Sequence, residues 1–206
     1  MYDGFVADQD CFEWLAKKQG GWQFGEQQVL FSAANQICEN GDCVEIGAGN
    51  GKTLPLAIAP FCKYGNNVFL FESDSESAIM LRNKYPNAIV QGTFCVLLLA
   101  EVDPSPLVCV IDVDGIDREI MFDVLRCTSP KLLMVEHFDK FHFANCSQIT
   151  PLPHWTLGLE LANGFRLQDN EKAINRIAKM FGYTRLGVTR VNSIFVNNQY
   201  VEKLKR

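Results

Sequence analysis

Short apolar runs alternate with longer amphipathic stretches along this chain, and that alternation limits its fold more than any other feature. Leu107-Val108-Cys109-Val110-Ile111 and Lys131-Leu132-Leu133-Met134-Val135 are the strongest runs. A strand apolar on both faces must be covered on both faces, which is the condition of a parallel sheet between two layers of helices. Asp42 to Ile46, Asn67 to Glu72 and Ala88 to Gln91 read as three further strands. The stretches after them read as helices. These are Thr53 to Cys62, with Pro55 tolerable only in the first turn, Ser75 to Lys84, capped by Ser75 and stopped by Pro86, and Asp117 to Arg126. On the last of these, Ile120, Met121, Val124 and Leu125 share one face. Such alternation predicts a doubly wound α/β sheet. A helix is expected over Asn170 to Phe181. Tyr183 to Val188 and Ser193 to Val196 then fit an antiparallel hairpin turning at Val191-Asn192. Ahead of the sheet, Gly25 to Cys38 is an amphipathic helix with Val29, Leu30, Ala33 and Ile37 on one face. The fold expected is therefore α/β, Rossmann-like and mostly parallel, ending in an antiparallel hairpin. Residues 1–40 form a helical N-terminal extension to a single globular unit, 41–206.

Composition narrows the function. The chain has 206 residues, 48% hydrophobic and 21% charged, an ordinary balance for one globular domain. No run approaches the roughly 18 apolar residues of a membrane span. A net charge of −5 argues against unaided binding to nucleic acid. Met1-Tyr2-Asp3-Gly4 lacks the basic start of a signal peptide. Eight cysteines are spread evenly with no C-x-x-C pair, so they read as reduced thiols of a cytoplasmic protein, and no ligand cluster suggests a metal.

The richest segment is Val44-Glu45-Ile46-Gly47-Ala48-Gly49-Asn50-Gly51-Lys52-Thr53. It sets three glycines after the first strand, where α/β sheets bind ligands and glycine admits close backbone approach. A phosphate-binding loop would need glycine at 46, where Ile46 stands, and a dinucleotide loop would need it at 52, where Lys52 stands. An S-adenosyl-methionine site needs neither. Glu45-x-Gly47-x-Gly49-x-Gly51 resembles the first motif of class I methyltransferases. That ligand has no phosphates, so Gly47, Ala48, Gly49 and Gly51 need only clear its amino-acid and ribose parts. Glu72, 25 residues past Gly47, ends the second strand where an acid would accept from ribose hydroxyls, with Ser73 beside it. Glu45 would lie near the ligand's ammonium group.

A second constellation, Val110-Ile111-Asp112-Val113-Asp114-Gly115-Ile116-Asp117, closes the fourth strand. Three carboxylates this close cannot all be buried unpaired, so they face solvent, a ligand or a metal. Asp-x-Asp also holds the cation of metal-dependent glycosyltransferases, but those enzymes lack the glycine loop. Asp117 also fits a cap or first-turn acid of the next helix. This block, followed by Ser129-Pro130-Lys131-Leu132-Leu133-Met134-Val135-Glu136-His137, resembles the FkbM-like methyltransferases. So does the ending Gly182-Tyr183-Thr184-Arg185-Leu186 with Val191-Asn192-Ser193-Ile194-Phe195-Val196. The resemblance runs from about residue 42 to residue 197. Family loops often carry asparagine where Gly49 stands, and residues 138–165 match no family segment.

The resemblance implies a Rossmann-like methyltransferase fold and methyl transfer from S-adenosyl-methionine, usually to a hydroxyl oxygen. Alignment of acceptor and methyl supplies much of such a rate, and a base near the acceptor helps. Asp112 is the first candidate base and a cofactor contact, His137 the second, and Asp114 a third acid at the site. Gln91, Gly92 and Thr93, after the third strand, fit a polar contact to adenine, with Phe94 against the ring. Phe138, Phe141, Phe143, Trp155 and Phe165 suit either a lid or ordinary packing. Trp14 and Trp22 suit the core or the surface of a homodimer. The partner expected is a small or sugar-like acceptor, with neither nucleic acid nor membrane.

Overall fold

The computed structural model describes residues 26–37, 39–51, 57–58, 61, 66–92, 96–113, 116–137, 168–189 and 192–204. The expectations for Trp14, Trp22, Lys52, Thr53, Thr93, Phe94, Asp114 and the aromatic residues of 138–165 lie outside these. The described strands are β1 (Cys43–Ile46), β2 (Val68–Phe71), β3 (Ile89–Gln91), β4 (Val108–Ile111), β5 (Leu132–Glu136), β6 (Tyr183–Val188) and β7 (Asn192–Asn197). The helices are α1 (Glu26–Ile37), α2 (Ser75–Lys84), α3 (Asp117–Cys127) and α4 (Gln168–Met180). One sheet holds all seven strands in the order β3-β2-β1-β4-β5-β7-β6. The first five are parallel, and β7 enters antiparallel between β5 and β6. The doubly wound sheet and its closing hairpin are thus as the sequence pattern requires.

Strand alternation divides the core in two. Cys43, Val108, Val110, Met134 and Ile194 point to the face covered by α1, where Leu30 and Ile37 are buried, and by Leu81 of α2. Val44, Ile46, Ile111, Val135 and Phe195 point to the face covered by α3 and α4, through Met121, Val124 and Ile174. β1, β2, β4 and β5 are buried along their whole length; β2 and β4 are apolar throughout, whereas β1 carries Glu45 and β5 ends in Glu136. A second tie fixes α1. Glu39, just past its end, accepts from Lys203 Nζ at 2.6 Å and meets Lys131 Nζ at 3.2 Å. These two lysines hold the Glu39 carboxyl below its usual range, the Lys203 hydrogen bond most of all.

Three local expectations need correction. Asp74, not Ser75, caps α2, its carboxylate accepting from Ser77 N at 2.8 Å. Glu72 takes the Asp74 amide and so starts the turn one residue early. Of the helix expected over Thr53 to Cys62, Ala57 and Ile58 form a turn and Phe61 lies in a 3-10 segment. Their amides explain it, because those of Ala57 and Ile58 are turned to the Glu45 carboxylate. Asn192, expected in the hairpin turn, is the first residue of β7, paired with Glu136.

Because Leu30 is fully buried in the core face that α1 covers, Leu30→Ala should cost about 2–5 kcal/mol of stability. Urea denaturation of the full chain checks this, and a midpoint like that of the parent would show that α1 carries no core load.

Candidate functional site

The carboxyl ends of β1, β2 and β4 are stitched together around the glycine loop. Gly47 N and Ala48 N both donate to Phe71 O, at 2.9 and 3.1 Å, and Asp112 N donates to Ile46 O at 2.9 Å. Gly47 has φ +85°, and a Cβ there would lie 1.7 Å from the Asp112 carbonyl oxygen. Glycine is therefore obligatory at 47, since it alone lets β1 leave the sheet against β4. Gly49, at φ +58°, is the opposite case: a Cβ there would meet no atom of the described residues within 4 Å. The loop presents bare backbone to open space. Gly51 is held from behind, its carbonyl accepting from Lys84 Nζ.

Glu72 stands at the end of β2 facing this opening. It is 9% exposed. Its Oε2 accepts from Gly49 N at 2.6 Å and its Oε1 from Asp74 N at 2.8 Å. A carboxylate has about four lone-pair sites, so two remain for further donors. Ser73 beside it is exposed, Ala48 is buried, Gln91 is half-buried at the end of β3, and Gly92 is exposed. Glu72 N donates to Gln91 O at 3.0 Å, which brings the ends of β2 and β3 to one edge.

Glu45 is buried at 2% exposure, on the α1 face of β1. Its oxygens accept from Ala57 N and Ile58 N, each at 3.2 Å. Burial pushes its pKa up to about 8; the two amides oppose the rise and the Asp112 charge adds to it. Its carboxyl anchors the chain that leaves the glycine loop.

Asp112 is half-buried just past β4. The turn after it is folded by Asp117, whose Oδ1 accepts from Val113 N at 2.8 Å. Asp117 is a buried first-turn acid of α3, while the cap position is Ile116. Asp114 lies outside the described residues. β5 ends level with β4, with Val135 opposite Ile111, so Glu136 and His137 come to the same edge as Asp112. Burial lowers the His137 pKa, against the opposing effects of Glu171 and of backbone carbonyls at Asn192 and Thr189. Four residues for which the sequence pattern suggested no site role lie near this edge: Glu26, Thr189, Asn192 and Ser193. A first-turn glutamate and the polar start of an apolar strand were the available signals.

No family model and no curated protein matches the chain. Among solved structures, Methanococcus jannaschii fibrillarin, a pre-rRNA processing protein, aligns with a TM-score of 0.51. The alignment covers 82% of this chain and 74% of that one at 14% identity. The fold is the Rossmann-like methyltransferase fold. A TehB-like SAM-dependent methyltransferase from Corynebacterium glutamicum aligns with a TM-score of 0.46, at 11% identity over 84% of this chain and 87% of that one. Precorrin-6y C5,15-methyltransferase from Geobacter metallireducens gives 0.47, at 16% identity over 88% and 89%.

Two expected outcomes follow from this geometry. Gly47→Ala should destabilise far more than Gly49→Ala, although both have positive φ. The second bears only the backbone cost of about 1–2 kcal/mol, whereas the first adds overlap with Asp112. Equal urea midpoints for the two variants would contradict the packing. For Glu45, the folded pKa lies above the unfolded value of 4.5. Its stabilising contribution is thus full below pH 4.5 and is lost as pH rises to about 8. Glu45→Gln should flatten that part of the stability–pH curve, measured by urea denaturation across the window.

Proposed function

We propose that this chain is an S-adenosyl-methionine-dependent methyltransferase acting on a hydroxyl oxygen of a small, polar acceptor. The observation that carries the reading is the bare backbone at Gly49 facing open space beside the Glu72 carboxylate. The residues fit that cofactor. Gly47 and Gly49 clear its amino-acid and ribose parts, and Glu72 retains lone pairs for two ribose hydroxyls. Gln91 and Gly92, with Ser73, are the residues offered for the adenine end, and Thr93 is a further candidate from the sequence. When bound, the cofactor supplies an electrophilic methyl group on a sulfonium. The chain's own contribution is to align an acceptor with it and to take a proton. Asp112, His137 and Asp114 are the candidates for that edge, beyond the ends of β4 and β5.

Three further points support the finer reading. The D-x-D-G-x-D block stands at the end of β4 and the Val-Glu-His run at the end of β5, the places that the FkbM-like resemblance gives them. The net charge of −5 favours a small acceptor over an RNA. Among the described residues, Cys43, Cys109 and Cys127 are in no disulfide, in keeping with a reducing, cytoplasmic setting.

Calorimetry with S-adenosyl-homocysteine, ATP and NAD, with and without magnesium, tests the proposal. Binding is expected for the first alone and is expected to be lost in Gly49→Arg, whose side chain would occupy the open space. Binding of ATP instead would transfer the loop to the nucleotide-triphosphate reading.

A further inference from the structure

The glycine loop is built from the residues least able to hold a shape by themselves. Gly49 and Gly51 both take positive φ, +58° and +63°. Glycine enters that region at no steric cost and leaves it as easily, and it loses more backbone freedom on folding than any other residue. A bare backbone that is to receive a ligand therefore needs fastening from outside the loop. Two fastenings exist, and both come from β2 and α2. At the front, Glu72 Oε2 accepts from Gly49 N at 2.6 Å. At the back, Lys84 Nζ donates to Gly51 O.

The helix α2 joins the two. Asp74, its cap, is tied by its amide to Glu72 Oε1 at 2.8 Å, and Lys84 is its last residue. Tyr85 N donates to Leu81 O at 2.8 Å, and Pro86 ends the helix there. The place of the lysine is thus set by the helix end. The seat around Gly51 is tight. A Cβ there would lie 3.2 Å from Leu81 Cδ2, 3.4 Å from Tyr85 Cε2 and 3.7 Å from Lys84 Cδ. Gly51 is buried although Lys84 is exposed. A lysine in the last turn of a helix is ordinarily accounted for by the helix dipole. Lys84 does more, because its ammonium reaches a carbonyl 33 residues away in sequence. The same ammonium stands 5.4 Å from the centre of the Tyr85 ring, which borders Gly51. It therefore has two partners, a loop carbonyl and an aromatic face.

We propose that Lys84 is a positioning residue for the cofactor: with Glu72 it clamps Gly49-Asn50-Gly51 from both ends and so sets the fraction of molecules whose Gly49 backbone has the binding shape. The inference rests on the methyltransferase reading above and deepens it, since Lys84 acts through the loop rather than on the ligand. With the back of the loop released, Gly49 keeps its bond to Glu72 while two glycines regain their freedom to turn. Apparent affinity then falls with the fraction of molecules that keep the competent shape. Methionine at 84 has similar reach and no donor. Arginine keeps a cationic donor.

Calorimetry of the full chain with S-adenosyl-homocysteine, and NMR of the Gly49 amide without ligand, test the clamp. Ala48-Gly49 is the one Ala-Gly pair in the sequence, so carbon-13 at alanine carbonyls with nitrogen-15 in glycine leaves a single amide signal. In the parent that proton should resonate downfield, as a short bond to a carboxylate requires. Lys84→Met should move it upfield and weaken binding about tenfold, a competent fraction of about one tenth. Lys84→Arg should restore both. Lys179→Met removes an exposed lysine from α4, on the other face of the sheet, and should change neither. An unchanged Gly49 signal or unchanged affinity in Lys84→Met overturns the positioning role. So does a loss that Lys84→Arg leaves in place, or an equal loss in Lys179→Met, which would assign the effect to net charge. Failure of the parent to bind S-adenosyl-homocysteine removes the methyltransferase reading, whereas binding by the parent with any overturning result above removes this inference alone.

Discussion

The site depends on how closely β1 can leave the sheet beside β4. Gly47 turns against the Asp112 carbonyl with no room for one more carbon, and the Gly47 and Ala48 amides are both taken by Phe71. Three strand ends are thereby fixed to one another by backbone alone. Everything proposed for ligand binding follows from that junction: the Gly49 backbone, the Glu72 carboxylate at 2.6 Å from its amide, and Asp112, whose amide donates to Ile46 O. Backbone junctions are rigid, so the groups that border the opening are placed without the entropy cost that long side chains would carry.

A buried carboxyl secures each flank. Glu45 holds the amides that follow the loop, and Asp117 holds the amide that follows Asp112. Both act on backbone N–H groups that would otherwise be unpaired in a dry interior. Glu45 carries the larger burden, since desolvation opposes its charge and Asp112 adds to the opposition. Acidic residues in this sequence thus do two different jobs, and their spacing alone does not separate them.

Much of the fold was legible because burial on both faces leaves a plain record in the sequence. β2 and β4 are apolar without interruption, β1 and β5 are apolar but for Glu45 and Glu136, and α1 shows its core face at Val29, Leu30, Ala33 and Ile37. The glycine loop and Glu72 were legible because spacing after a strand fixes where such residues must stand. What failed was decided by partners distant in sequence. Ser75 and Asp74 are both good caps, and Glu72 chose between them by taking the Asp74 amide. Ala57 and Ile58 left α-helical geometry for a carboxylate on β1. Asn192 joined β7 because Glu136 pairs with it and Glu26 binds its amide group. No local pattern carries such information.

The same distance has a consequence for how the two halves of the site come to exist. The glycine loop and Glu72 are joined by a contact 23 residues apart in sequence, whereas Glu26 meets Thr189 and Asn192 across 163 and 166 residues. Closing the longer loop adds entropy cost, although only slowly with length, and it requires α1 and the hairpin to have reached the sheet. The contact between Gly49 and Glu72 therefore needs only the ends of β1 and β2, whereas the Glu26 contacts need α1 and the β6–β7 hairpin both on the sheet. A substitution at Glu26 would then act on the Thr189 and Asn192 contacts and leave the contact between Gly49 and Glu72 untouched.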